Sequence, residues 1–563
     1  MARFDPIYIF MSARCLLILV LLIACSALRG QDLEGLSQQK PLKLNGSLSL
    51  FGDAYLVKGI PPRITPFNWR LTDSPTVTIY GVSFPFYFNV GSQERSFTQP
   101  FNQYGVSPHY KWITAHLGWR SLSWSQYSLS GLVFYGAGVE LHPGKFRLAA
   151  MYGRFSKAVR EDTAQQFIQP IPTYKRTGYS ARIGFGTTQN FLDFIFFKAK
   201  DDSASYQDHP DRLKPAENAV FAINSKLLLF KHVQISIDAA ASAYTRDIGS
   251  DSTKDSELDP FRFFINPNVS TQLLFAGEAS IGYVSKFVNM RFRYKRLDQD
   301  YKSMGAYLYQ TDLESYTVEP SFNIMKGRIR VSGSFGKQSD NLSRTRLVSN
   351  LRTIGSVGIS ANITKTYGVD VQYGNYGVAQ RAGVIPLNDT IRMAIANQNV
   401  NLVNRVALVN RKRVISLILL TTYQEMTNLN PLFPAFIESQ VMLGNLNGNY
   451  TFVTSGVSLN AGYNYSQSRF AAGTIVSSGP LLGFGKTFFK NKLNSSVNAG
   501  FLSNSFNGAS SGLTITGGVN LAYKLSRSHS FLANVRFTDN SSQNPLSIPF
   551  TEAFFSAGYQ YIL

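Results

Sequence analysis

Val233-Gln-Ile-Ser-Ile-Asp-Ala-Ala-Ala-Ser-Ala243 is the stretch on which the fold turns. Val233, Ile235, Ile237, Ala239, Ala241 and Ala243 alternate with Gln234, Ser236, Asp238, Ala240 and Ser242, so a strand built on them has one apolar and one polar face. The same period of two returns at Leu493, Ser495, Val497, Ala499 and Phe501, and at Val457, Leu459, Ala461, Tyr463 and Tyr465. No segment beyond the amino terminus approaches the ~20 uninterrupted apolar residues that a membrane helix needs. The alternation predicts sheet, and a great deal of it.

The connections between these segments sort into two kinds. Short ones include His142-Pro-Gly-Lys145, Phe230-Lys-His232, Met325-Lys-Gly-Arg328 and Phe489-Lys-Asn491. Longer polar loops fall at about 156–178, 201–218, 246–268, 298–315, 338–353, 378–391, 426–439 and 539–551. From roughly residue 110 onward short and long alternate, as in a barrel with tight turns at one end and long loops at the other. The expected fold is all-β, a transmembrane antiparallel barrel of about 22 strands within a range of 18 to 26. Expected strand starts run from 110, 132 and 146 to 512, 530 and 552.

Composition agrees. The 563 residues carry 55 Lys+Arg against 34 Asp+Glu, a formal +21, with 13% aromatic side chains and only 16% charged ones. The two cysteines, Cys15 and Cys25, both lie in the first thirty residues, so neither a disulfide framework nor a structural zinc site is expected. Arg14 precedes the apolar run Cys15–Ala24, which reads as a signal peptide over residues 1–30, with Met1 or Met11 as its start. Cleavage after Ala27 or Gly30 fits the small residues there. Leu22-Ile-Ala-Cys25 also has the form of a lipoprotein box that would acylate Cys25.

At the other terminus Phe555, Ala557, Tyr559, Tyr561 and Leu563 share one face, with Ser556, Gly558 and Gln560 on the other. This resembles the terminal β-signal of bacterial outer-membrane proteins, read by the barrel-assembly machinery, although Leu563 stands where that family carries Phe. Phrases such as Gln99-Pro-Phe-Asn102, Ser107-Pro-His-Tyr-Lys111 and Tyr301-Lys-Ser-Met-Gly-Ala306 are similar in style to the aromatic-rich outer-membrane barrels of Bacteroidota. The resemblance implies export and integration into the outer membrane, with its lipid as the surrounding partner. It implies no substrate.

Residues 31–109 are less regular. Leu42, Leu44, Leu48 and Leu50 alternate with polar partners, but Pro61, Pro62, Pro66, Pro75 and Pro85 interrupt the pattern, and Pro argues against a central strand. Two readings compete: a first hairpin ahead of the 110–563 barrel, or a partial plug folded into the lumen. A wide cylinder leaks unless filled, which favours the plug.

The search for chemistry returns little. Of the six histidines, His142 and His232 fall in expected turns, His529 at the edge of another and His116 on the expected lumen face. None pairs with a nearby Ser and acid in a known motif and no G-x-S-x-G occurs, so no enzyme, catalytic residue or cofactor is expected. The acid-rich stretch holding Asp247, Asp251, Asp255, Glu257 and Asp259 lacks the spacing of a calcium loop and reads as solvated; no metal is expected. Arg291, Arg293 and Lys295 share one face opposite Met290, Phe292 and Tyr294. If the aromatic face meets lipid, three cations enter the lumen and either attract anions or pair with acids such as Glu278. The positive charge is scattered rather than gathered into a basic tract, which argues against nucleic acid. Four Asp-Ser/Thr tripeptides, with acceptors Thr163, Ser203, Ser252 and Thr390, resemble the O-glycosylation motif of Bacteroidota. The expected function is a channel or transporter for polar, conceivably anionic solutes. The rivals are a scaffold or export partner that meets surface or periplasmic proteins and, more remotely, an outer-membrane hydrolase.

Overall fold

The computed structural model describes residues 41–92, 100–161, 171–207, 210–253, 256–307, 310–382, 393–430, 438–541 and 548–563. Within them the alternating segments form one antiparallel wall that closes on itself. The seam pairs Ser47–Lys58 with Phe550–Ile562, from Ser47 opposite Ile562 to Lys58 opposite Thr551. Counting a strand that is interrupted by a residue or two as one, the wall has 26 strands rather than about 22. A circular barrel of that number, with strands about 4.8 Å apart and tilted by about 40°, would measure about 50 Å across its backbone.

All four additional strands precede Ile113. They are Leu42–Asn45 continued by Ser47–Lys58, Phe67–Asp73 continued by Thr76–Ile79, Val82–Gly91, and Gln103–Val106 continued by His109–Tyr110. The described part of 31–109 is therefore wall, not a plug in the lumen. Its prolines are accommodated because none is asked for a ladder hydrogen bond it cannot donate. Pro61, Pro62 and Pro66 lie in the connection before Phe67. Pro75 occupies the break between Asp73 and Thr76, where its carbonyl accepts from Phe86 N at 2.8 Å. Pro85 stands opposite Thr76, at the edge of the same break. From Ile113 onward each expected strand is present, and Phe146, Phe191, Val233, Ile329 and Arg413 begin strands at the positions read from the alternation.

The alternation of short and long connections has two exceptions. Phe470 and Gly473, and Phe506 and Ala509, are joined by only two residues at the end that otherwise carries long loops. Asn507 (φ 51°) and Gly508 (φ 81°) supply the left-handed pair that a two-residue hairpin turn requires.

Outward faces carry Ile183, Phe194, Ile223, Ile237, Phe275, Ile281 and Phe292, all exposed. A belt of exposed apolar side chains runs around the wall, because every second residue of each strand points out. Tyr104, Tyr135 and Tyr316 lie towards its long-loop edge, and Tyr283, Tyr559 and Tyr561 towards its short-turn edge. The principal apolar cluster lies inside, on the inner face of strands between Leu129 and Leu313. Two inward-folded segments cover it. One is the connection from Trp124 to Ser128; the other runs from Asp298 to Ala306 and pairs in parallel with Leu129–Gly131. A second cluster lies on the outer face, where Phe261 and Ile265 pack over Ala219 and Ala243. No helix among the described residues is long and apolar enough to cross a membrane.

Candidate functional site: the barrel interior

The interior has two chemically different sectors. Over the strands from Leu129 to Asp340 it is charged, and most of its carboxylates are ion-paired. Arg147 meets Asp193 through two hydrogen bonds of 2.8 and 2.9 Å, and Arg176 meets Asp201 through two of 2.8 and 3.1 Å. This bidentate geometry suits buried guanidinium–carboxylate pairs. Arg182 lies 3.8 Å from Glu140, which also accepts from Trp124 Nε1 at 3.2 Å. Asp238 accepts from Ser125 Oγ at 2.5 Å and Gln126 N at 2.9 Å, fixing the Trp124–Ser128 connection against the wall. The second inward segment is held by Tyr301 Oη donating to the Tyr127 carbonyl at 2.6 Å and by Ser242 Oγ donating to the Lys302 carbonyl at 2.7 Å. Burial pushes the phenols of Tyr127 and Tyr301 well above the usual tyrosine range, so both stay protonated, Tyr301 as the donor to the Tyr127 carbonyl.

Arg291, Arg293 and Lys295 do share the inner face of Val288–Leu297, since Ser280, Glu278 and Glu319 of the flanking strands stand on the same side. Their charge is largely compensated. Arg293 contacts Glu278 at 3.4 Å and Glu319 at 3.0 Å, and Arg291 approaches Glu319 at 3.7 Å. Three cations against two carboxylates leave a local surplus of one. Arg291 and Glu319 also border an inward concavity of about 600 Å³, whose other walls include Ser280, Ser332, Ser356, Arg330, Asp370 and Gln372. Asp370 is itself paired with Arg405 at 2.9 Å.

A second sector is neutral. From Arg413–Asn428 through Ala509–Lys524, six adjacent strands present Asn, Gln, Ser, Thr, Gly and scattered apolar residues inward, with a charge only at Lys524 on the rim. The preceding strand adds Asn397, Asn399 and Asn401 to the same surface. Thr422 Oγ1 donates to Asn401 Oδ1 at 2.8 Å, Asn504 Nδ2 to Thr514 Oγ1 at 2.8 Å, and Asn445 bonds Asn464 across the strands. Glycine makes room for these amides. A Cβ at Gly374 would lie 2.2 Å from Asn399 Oδ1, and one at Gly518 would lie 2.4 Å from Asn498 Oδ1. Each amide offers donors and an acceptor without net charge, so the wall can replace water around a hydroxyl or amide group without favouring either sign of ion.

This surface was not anticipated, yet a signal for it exists. Asn397-Gln-Asn-Val-Asn401 and Asn445-Leu-Asn-Gly-Asn449 place Asn at every second residue, which is one face of a strand. His116 points inward as expected and shares a 2.9 Å hydrogen bond with Ser107 Oγ; both are buried. The terminal strand places Phe555, Ala557, Tyr559 and Tyr561 on the outer face, and Leu563 N donates to the Gly46 carbonyl at 3.0 Å, beyond the last paired position. Ser203 and Ser252 are exposed at the long-loop end, the first on a turn where Asp202 Oδ1 accepts from Ala204 N. Thr163 and Thr390 lie outside the described residues, as do Cys15, Cys25 and the expected signal peptide. In the acid-rich loop Asp259 pairs with Arg262 at 2.6 Å, and Asp247 Oδ1 caps Gly249 N.

No family model matches the sequence, and no curated protein matches it. Among solved structures, the copper transporter OprC shares 9% identity at a TM-score of 0.41, over 93% of this chain and 81% of that one. The FrpB iron transporter from Neisseria meningitidis shares 9% at 0.37, over 92% and 81%. OccAB2 of Acinetobacter baumannii shares 9% at 0.31, over 66% and 96%.

Proposed function

We propose that the chain is an integral barrel of the bacterial outer membrane that lets polar, predominantly uncharged solutes pass along the amide-lined sector of its interior. The observation that carries this is the neutral inner surface of six adjacent strands, facing a charged side on which Arg147 with Asp193, Arg176 with Asp201, and Arg293 with Glu278 and Glu319 form ion pairs. The apolar outer belt, flanked by tyrosines at both edges, suits a hydrocarbon layer, and a closed sheet leaves no unpaired edge within it. Export would use the amino-terminal leader, and insertion would use the outward Phe555, Ala557, Tyr559 and Tyr561 row as its recognition strand. The single surplus cation at Arg291, Arg293 and Lys295 gives a slight bias towards anions and no more. We take the chain to be a conduit rather than an enzyme: Ser107 and His116, 3% and 8% exposed, are too enclosed to reach a substrate.

Liposome swelling tests this. Purified barrel reconstituted into vesicles is expected to admit an uncharged disaccharide faster than a singly charged solute of similar size. Vesicles that admit neither, despite a folded barrel, would move the reading to a scaffold or export partner.

A further inference from the structure

The excess positive charge of this chain is concentrated at one rim. Its twelve short-turn connections contain twelve Lys or Arg and no Asp or Glu, whereas the thirteen connections at the opposite end carry thirteen basic and fifteen acidic residues. In five of these turns the cation stands beside a large apolar side chain: Lys111-Trp112, Phe230-Lys231, Lys286-Phe287, Met325-Lys326 and Phe489-Lys490. The apolar members are turned out into solvent, Phe230 at 88% and Phe489 at 69% exposure. Lys231, Lys286, Lys326 and Lys490 are exposed with them.

The backbone supplies an independent observation. Phe230 and Lys231 (φ 50° and 64°), Met325 and Lys326 (52° and 58°), and Phe489 and Lys490 (53° each) occupy the left-handed region. A turn of this type is ordinarily filled by Asn-Gly, as at Asn507-Gly508 on the opposite rim, because an L side chain there crowds its own backbone. Three bulky apolar-basic pairs at strained positions mean that these side chains serve something the turn itself does not need.

We infer that this rim is a collar for anionic phospholipid headgroups, each turn setting its apolar side chain at the acyl boundary and its cation against a phosphate. The inference rests on the outer-membrane reading. A lipid source is favoured over an acidic protein because cations stand in nine of the twelve turns, from Lys111 to Arg527, instead of forming one patch. The apolar members of the pairs are also spaced singly, as an interface between headgroup and chain requires.

The test uses the full-length barrel, delipidated in detergent and mixed with equimolar phosphatidylglycerol and phosphatidylcholine, with bound lipids counted by native mass spectrometry. Heat-modifiable mobility is read first on the same sample; its absence would overturn the barrel reading and the collar with it. The wild type is expected to retain phosphatidylglycerol on the order of tenfold over phosphatidylcholine. A variant carrying Lys231→Gln, Lys286→Gln, Lys326→Gln, Lys365→Gln, Arg411→Gln and Lys490→Gln should fall to near parity while staying heat-modifiable. A variant with six Gln at the other end (Lys157, Arg160, Lys200, Lys214, Arg344 and Arg381) should keep the preference. Parity in the wild type, or an unchanged ratio in the collar variant, would overturn the inference and leave the rim to an acidic protein partner.

Discussion

Ser556 Oγ donates to Asp53 Oδ1 at 2.6 Å, and this bond between residues 503 apart ties the last strand of the barrel to the first. Tyr55 Oη repeats the tie by donating to Glu552 at 3.0 Å. The seam therefore has side-chain bonds on its inner face as well as a continuous backbone ladder.

Closure can be captured chemically. Ala54 and Phe555 stand opposite each other across the seam and both face outward. With the native cysteines confined to the first thirty residues, Ala54→Cys with Phe555→Cys should oxidise within one chain and give a reducible mobility shift after denaturation. Leu227→Cys with Ile235→Cys, opposite each other within one hairpin, is the positive control. A crosslink in the control and none at the seam would contradict closure.

The facing of the wall is tested at one strand. Ile237 is 42% exposed on the outer face, while Ser236 points inward and bonds Ser280 Oγ at 2.7 Å. Ile237→Arg should impair insertion, because Arg near a bilayer midplane costs roughly 2–4 kcal/mol. Ser236→Arg should be tolerated. Equal damage from both would show the two faces to be exchanged.

The inner ion pairs should behave as buried ones. Arg147 and Asp193 are 15% and 2% exposed, so Arg147→Ala strands a carboxylate away from water. That loss is expected to cost about 3–5 kcal/mol, seen as a lowered unfolding temperature of the folded gel band. Replacing both with Leu should restore most of it. A single variant as stable as the wild type would mean that water reaches Asp193.

Much of this architecture was legible from the sequence, and the parts that were not have identifiable physical reasons. From Ile113 onward the alternation located every strand, because a wall with an apolar outside and a polar inside enforces a strict period of two. Before Ile113 the prolines obscured four strands. Pro75 and Pro85 read as breakers because sequence does not show that they face each other across a gap in the ladder. Period two puts Arg291, Arg293 and Lys295 on one face, but Glu278 and Glu319, which pair with the two arginines, belong to neighbouring strands, and pairing across strands is a matter of register. The inward folding of Tyr301 and Met304 was missed for a related reason. They occur in a stretch that reads as a polar surface loop, and only the apolar inner face of strands before and after it draws them in.

The inward segments should narrow the lumen. Asp238→Ala removes both bonds that hold Ser125 and Gln126, and is expected to raise the rate of solute entry in swelling assays while the wall stays folded. An unchanged rate would show that the inward segments do not restrict the lumen.

Planar-bilayer recording of the purified barrel under a potassium chloride gradient bears most directly on the central claim. The account predicts discrete conductance steps with a reversal potential near zero, displaced slightly towards anions by the local surplus at Arg291, Arg293 and Lys295. Replacing Arg291, Arg293 and Lys295 together by Gln leaves Glu278 and Glu319 unpaired and should move the reversal potential towards cation preference. A folded wild-type barrel that conducts nothing, or one that strongly selects either ion, would contradict a neutral conduit.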